Sequence, residues 1–167
     1  ITTLRGEVNH AWPYFLPDGL HFLYTAQGGG PQNQGIYVGA LDSEETSRLL
    51  SDFSMARYAP PGYLLFVRQG TLMAQPFDAT SLQLSGEAVP LAEQVAINIG
   101  AAAQTGVSVS DNGVLAYRTG SSYANTQLAW VDRSGRQLGT IGSPGAYLNP
   151  RLSPDGRRVA VEQVSGN

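Results

Sequence analysis

Two arginines, Arg57 and Arg151, each stand five residues before a glycine that follows a proline-containing turn, Gly62 and Gly156. A guanidinium group stays charged and presents a rigid fork of donors. Two of them on one surface would hold a carboxylate or an acidic peptide through bidentate bonds. The competing expectation is that both arginines pair with acidic neighbours and close a channel. Other chemistry has less to work with. All ten basic residues are Arg, and the missing Lys excludes a Walker-type phosphate loop, a kinase catalytic lysine and Schiff-base chemistry within these residues. The missing Cys excludes disulfides, thiolate nucleophiles and cysteine metal sites. His10 and His21 have no second His, Cys or suitably spaced carboxylate pair, so both read as surface or packed residues. No Gly-x-Ser-x-Gly elbow occurs, so a hydrolase nucleophile is not indicated. No catalytic residue, metal or cofactor is expected.

Net charge is −3 and the only adjacent basic pair is Arg157-Arg158, which argues against a nucleic-acid partner. The longest apolar runs, such as Tyr63 to Val67, are too short to span a bilayer, so no membrane insertion by these residues is expected. The chain opens on Ile1 without a basic-then-apolar leader, and its true start is expected to have been removed by processing or truncation. "QGGGPQNQG", Gln27 to Gly35, resembles a phosphate loop only until the next residues are read. A phosphate cradle needs a following helix, and "IYVGALD" is strand-like. The segment is expected to be a flexible connection.

The elements that must position these residues repeat. With 20 Gly, 10 Pro and a low charged fraction of 14%, the composition favours an all-β chain of short strands. Pro17-Asp18-Gly19 recurs as Pro154-Asp155-Gly156, with variants at Pro60-Pro61-Gly62 and Asp111-Asn112-Gly113. The four glycines are 43, 51 and 43 residues apart, close to the length of a four-stranded propeller blade. Pro presets φ, Asp or Asn bonds its own backbone, and Gly supplies the left-handed conformation. The turn Asp residues are therefore expected to be structural. Four residues before each Gly stand Phe15, Tyr58, Val109 and Leu152; six before stand Pro13, Ala56, Val107 and Pro150. Between them stand Tyr14, Arg57, Ser108 and Arg151, an alternation of period two. Second strands come next ("LHFLYTA", "YLLFVRQ", "VLAYRTG", "RRVAVEQ"), then third strands ending at Asp42, Asp78 and Asp132, then fourth strands.

The predicted fold is therefore a partial β-propeller of four-stranded antiparallel blades: residues 1–4 as the outer strand of a preceding blade, then blades over 8–50, 51–95 and 97–142, and the first two strands of another over 145–167. The final hairpin lacks its outer strands, as expected of a chain cut through a blade. Trp12 and Trp130 are expected to pack between blades.

The "PDG" hairpins and third strands resemble the WD-repeat-like units of TolB-type β-propellers over essentially the whole chain. The wording "PPGYLLFVRQGTLMAQPFD" resembles the C-terminal propellers of bacterial membrane-anchored serine/threonine protein kinases. The resemblance implies an extracytoplasmic, non-catalytic propeller that binds or senses a protein or peptide partner. It does not extend to kinase activity here, because no kinase signature lies in these residues. A gating propeller of a prolyl-oligopeptidase-like peptidase and a TolB-like envelope adaptor share similar hairpin wording. The expected binding surface comprises Arg57 and Arg151 with the loop residues Gln32, Asn33, Asn98, Tyr123 and Tyr147. Exposed blade edges predict self-association, unless residues 1–4 pair near Val159 to Val164 and close a ring.

Overall fold

The computed structural model describes residues 2–4, 6–98, 103–120, 126–132 and 135–164. Among them every regular element is a strand, and no helix is long and apolar enough to cross a membrane. β1 (Asn9–Phe15), β2 (His21–Gln27), β3 (Gly35–Ala40) and β4 (Thr46–Leu50) form a four-stranded antiparallel meander. The second sheet takes β5 (Arg57–Ala59), β6 (Tyr63–Arg68), β7 (Thr71–Asp78) and, after the short β8 (Gln83–Leu84) on the end of β7, β9 (Val89–Ala92). A two-residue hairpin, β10 (Ile97–Asn98) with β11 (Gln104–Thr105), precedes the third sheet. A continuous ladder follows, β12 (Val107–Val109), β13 (Leu115–Tyr117), β14 (Thr126–Val131), β15 (Gln137–Leu152) and β16 (Val159–Val164), in which the first half of β15 closes the third sheet and its second half pairs with β16 to open the next.

The burial of β6 explains its unbroken apolar run. Leu64 and Phe66 face the first sheet, packing with Leu23, Ile36 and Val38. Leu65 and Val67 face the other way, packing with Val95, Val107, Leu115 and Tyr117. A strand buried on both faces has no polar face to alternate with. β2 is similar. Leu23 faces the second sheet while Phe22, Tyr24 and Ala26 line the opposite face. These side-by-side sheets, each burying a face on the next, are the stacking of propeller blades. Phe15 lies on the outward face of the first sheet, 53% exposed, its ring 6.0 Å from that of Phe22. Both tryptophans, expected between blades, are half-buried, and the core clusters of the described residues are built without them. Leu, Ile, Val and Phe fill that space, and Trp12 is instead turned aside in a left-handed conformation, φ 59°.

All four turns close with one bond. Each glycine N–H donates to the carbonyl three residues earlier: Gly19 to Leu16 (3.0 Å), Gly62 to Ala59 (3.2 Å), Gly113 to Ser110 (2.9 Å) and Gly156 to Ser153 (2.8 Å). Asp18 accepts from the N–H groups of Leu20 and His21, both at 3.0 Å, and Asp155 from that of Arg157 at 3.1 Å. Those carboxylates replace backbone partners, as expected of turn Asp residues. Gly62 departs from the expectation. It is not left-handed, whereas Gly19, Gly113 and Gly156 have φ of 69°, 79° and 66°.

Two boundaries differ from the sequence reading. The blade boundary predicted between 142 and 145 falls inside a strand, because β15 runs unbroken from one sheet partner to another. Gly145 is its last residue paired with β14, at Thr126, and Ala146 its first paired with β16, at Val164. Pro144, which lacks an N–H, sits beside that change of partner, where its missing donor costs little. Residues 2–4 form no strand. Thr2 rests on the first sheet, its Oγ1 2.9 Å from Nδ1 of His10, and β16 pairs with β15 alone among the described residues. The ring closure named as the exception to self-association is not made by residues 2–4; Ile1 lies outside the described residues.

Neighbouring turns also touch. Asn112 Nδ2 donates to the Asp155 carbonyl at 2.9 Å, and a Cβ at Gly156 would meet Asn112 Oδ1 at 2.7 Å and Val114 Cγ2 at 2.9 Å. At Gly19 a Cβ would meet nothing within 4 Å. Gly19→Ala is therefore expected to cost about 1 kcal/mol, the left-handed backbone alone. Gly156→Ala should cost about 2 kcal/mol or more, because it also displaces Asn112. Urea unfolding of the two variants measures the difference.

Candidate functional site

The inner-edge strands β1, β5 and β12, with the last residues of β15, bring Tyr14, Arg57, Ser108 and Arg151 toward one axis at the end that carries the turns. The Arg57 guanidinium lies over the Tyr14 ring, 4.9 Å from its centroid. Ser108 Oγ accepts a hydrogen bond from the Leu152 N–H at 3.2 Å, joining the third inner strand to the fourth. The Tyr14 hydroxyl donates to the Tyr58 carbonyl at 3.5 Å, joining the first to the second. Irregularities in the flanking strands help aim these side chains. β1 shifts register between Ala11 and Tyr14, and β15 between Leu148 and Arg151. Within those shifts Trp12 and Asn149 are left-handed, at 59° and 49°, and each stands two residues before the axis-facing position. A bulge of this kind bends the strand and redirects the side chains beyond it.

The electrostatics of the cluster are one-sided. Arg57 is 6% exposed. Burial first, and the Arg151 charge second, push its pKa down to about 10; Tyr14 opposes them weakly. Burial raises the Tyr14 pKa. The two arginines pull it back, and Asp111 adds to the rise. Asp111 is thus the acidic group felt at the cluster, yet no carboxylate lies within 4.0 Å of Arg57 or Arg151 among the described residues. The channel-closing ion pairs set against the binding reading are not formed. Arg57 instead donates to the Ala56 carbonyl and to Met55 Sδ, both at 3.3 Å, and Arg151 to the Pro150 carbonyl at 3.0 Å.

The loop residues do not join this cluster. Gln27 pairs with Asn9 at one end of the first hairpin and Phe22 with Phe15 at the other, so Gln32 and Asn33 lie beyond the end remote from the turns. Their loop is held rather than loose. Arg48 donates to the carbonyls of Pro31 (2.9 Å), Gln32 (3.1 Å) and Gln34, and the Tyr37 hydroxyl to that of Asn33 (2.9 Å). The flexible connection expected from glycine content is overridden by that guanidinium. Asn98 is not in an open loop either: it is half-buried in β10 and pairs with Gln104. Tyr147 is buried within β15, its hydroxyl donating to the Ser143 carbonyl at 2.7 Å, because the expected loop there is continuous strand. Tyr123 lies outside the described residues. Sequence reasoning picked out the two arginines and missed Tyr14, although the same alignment placed it at the matching position.

Other features carry less chemistry. A cavity of about 540 Å³ between the second and third sheets is walled by Pro61, Tyr63, Leu65, Leu91, Leu115 and Tyr117. Its acidic wall residue, Asp132, already accepts from the Arg136 backbone N–H at 3.0 Å and its Nε at 3.1 Å. The His10 ring packs tilted against Tyr24, centroids 4.7 Å apart, and burial lowers its pKa against the opposing pull of Glu7. Among the described residues no three His, Asp or Glu side chains group as a metal site.

Removing the like charge should relieve Arg57. Arg151→Gln is expected to stabilise the protein at low ionic strength by about 0.5 kcal/mol, with the gain shrinking as salt is added. Thermal unfolding at two salt concentrations measures both. A second expectation concerns Asp18, whose pKa its bonds to His21 depress from 3.8 to about 2, with the His21 side chain the larger cause. A depressed carboxyl contributes stability above its unfolded value, and that contribution is lost as pH falls through the folded value. The loss should fall between about pH 4 and pH 2. In His21→Ala the Asp18 carboxyl should titrate nearer 3.8, as followed by carbon NMR.

No protein-family model matches the sequence, and no curated protein does. Solved structures do match in fold. TolB from Acinetobacter baumannii superposes with a TM-score of 0.61 at 23% identity, covering 93% of this chain and 37% of its own. Regucalcin from Agrobacterium tumefaciens, described as a calcium-binding protein, superposes with a TM-score of 0.56 at 18% identity, covering 84% of this chain and 48% of its own. The chain thus spans less than half the length of either. At these identities the likeness establishes architecture: the chain has a TolB-like β-propeller fold.

Proposed function

We propose that this chain is a binding segment of a propeller, non-catalytic in itself, and the extracytoplasmic sensing part of a bacterial receptor-like serine/threonine kinase. The observation that supports binding is the meeting of Arg57 and Arg151 at one end of the axis with no carboxylate opposite either among the described residues. A charge held out of water without a counter-ion is costly to the fold, and its retention is accounted for by a partner that supplies the anion. Tyr14 and Ser108 complete the surface. Gln32 lies at the remote end of the first sheet, where its exposed side chain offers a second contact apart from the arginines.

The kinase attachment rests on the wording of "PPGYLLFVRQGTLMAQPFD" and the extracytoplasmic location on the same resemblance. An envelope adaptor is the second reading, favoured by the likeness in fold to TolB. The gene on either side of the segment decides between them. A kinase domain and then one membrane-crossing helix upstream is the expected finding. A second, short domain upstream with no kinase signature would favour the adaptor. A downstream hydrolase domain bearing Gly-x-Ser-x-Gly would replace both with a peptidase gate.

A further inference from the structure

We infer that the turn end of the axis takes a single carboxylate of an acidic peptide, gripped between the guanidinium groups of Arg57 and Arg151 beside the ring of Tyr14. The inference rests on the binding reading above and names the chemistry of the ligand.

The donor count argues for it. A guanidinium has five N–H donors in a plane. Arg57 uses two of them, each in a long 3.3 Å contact, one of these to a sulfur. Among the described residues nothing competes for the rest, although the side chain is 6% exposed. Arg151 is exposed and spends one donor on its neighbour's carbonyl, which leaves the outer jaw open to solvent. An anion would therefore meet Arg151 first and Arg57 behind it. The Tyr14 face already lies against Arg57, fixing the plane of the inner fork.

The nearby acid selects among anions. Asp111 acts on Tyr14 from the adjoining turn without reaching either arginine. Two positive charges and one outlying negative charge favour a monoanion over a phosphate dianion. A planar carboxylate also matches a guanidinium fork bidentately and keeps lone pairs for a second guanidinium.

Calorimetric titration of the full chain tests this with acetyl-tetraglutamate amide and its glutamine counterpart as probes. The glutamate peptide should bind one to one and the glutamine peptide should not. Arg151→Gln should weaken binding roughly ten- to hundred-fold without lowering the unfolding midpoint. Arg57→Gln should do the same, and if it does not fold, Arg151→Gln carries the result. Acetate should displace the peptide more effectively than inorganic phosphate at equal concentration. Equal binding of the two peptides, undiminished binding to Arg151→Gln, or stronger displacement by phosphate would each overturn the carboxylate site. Failure of any glutamate peptide to bind would also overturn it. The wider binding reading would then still stand or fall on the flanking gene sequence.

Discussion

The structure depends on sheets that cannot satisfy both faces alone. Leu64 and Phe66 point one way from β6, Leu65 and Val67 the other, and all four are buried. A single antiparallel sheet with two apolar faces needs a neighbour on each side. Stacking successive sheets around an axis supplies both neighbours while leaving one edge strand of each sheet at the centre. That edge is where the matched residues converge. Packing on the sheet faces thus determines which side chains meet at the axis, and the arginine pair is a result of it.

The turns set the spacing of this arrangement. Each of the four closes with the same glycine-to-carbonyl bond, and the intervening residue types vary around it. Where Asp occupies the position before Gly, as at Asp18 and Asp155, it serves its own hairpin. Where Asn112 takes that position, its amide oxygen accepts from Ser110 in its own turn and its Nδ2 reaches the next. The variant triplets are thus compatible with one fold, and in one case the departure supplies a contact between neighbouring repeats.

Much of this was legible from the residues. Turn chemistry and the glycine spacing identified the hairpins, and the alternation before each glycine placed Arg57 and Arg151 on a common side. The hidden features depended on partners distant in sequence. The blade boundary after 142 and Tyr147 beyond it read as a loop, but pairing to β14 and then to β16 keeps the backbone extended. The glycine-rich segment before β3 read as loose because Arg48, the residue that holds it, comes from the following strand. Trp12 read as core by size, although the bulge in β1 turns it aside. Tyr14 was in the alignment but had no visible role until Arg57 was seen against its ring.

One strand belongs to two sheets. β15 closes the third sheet with its first half and opens the next with its second. The final hairpin therefore has no slack linker by which to swing free. Rotating it would twist the backbone that pairs with β14, so a tug on one side is delivered directly to the other. Ser108 and Arg151 stand on either side of that junction, bridged by the bond from Leu152. A displacement of Arg151 would therefore strain the hydrogen-bond ladder of the preceding sheet.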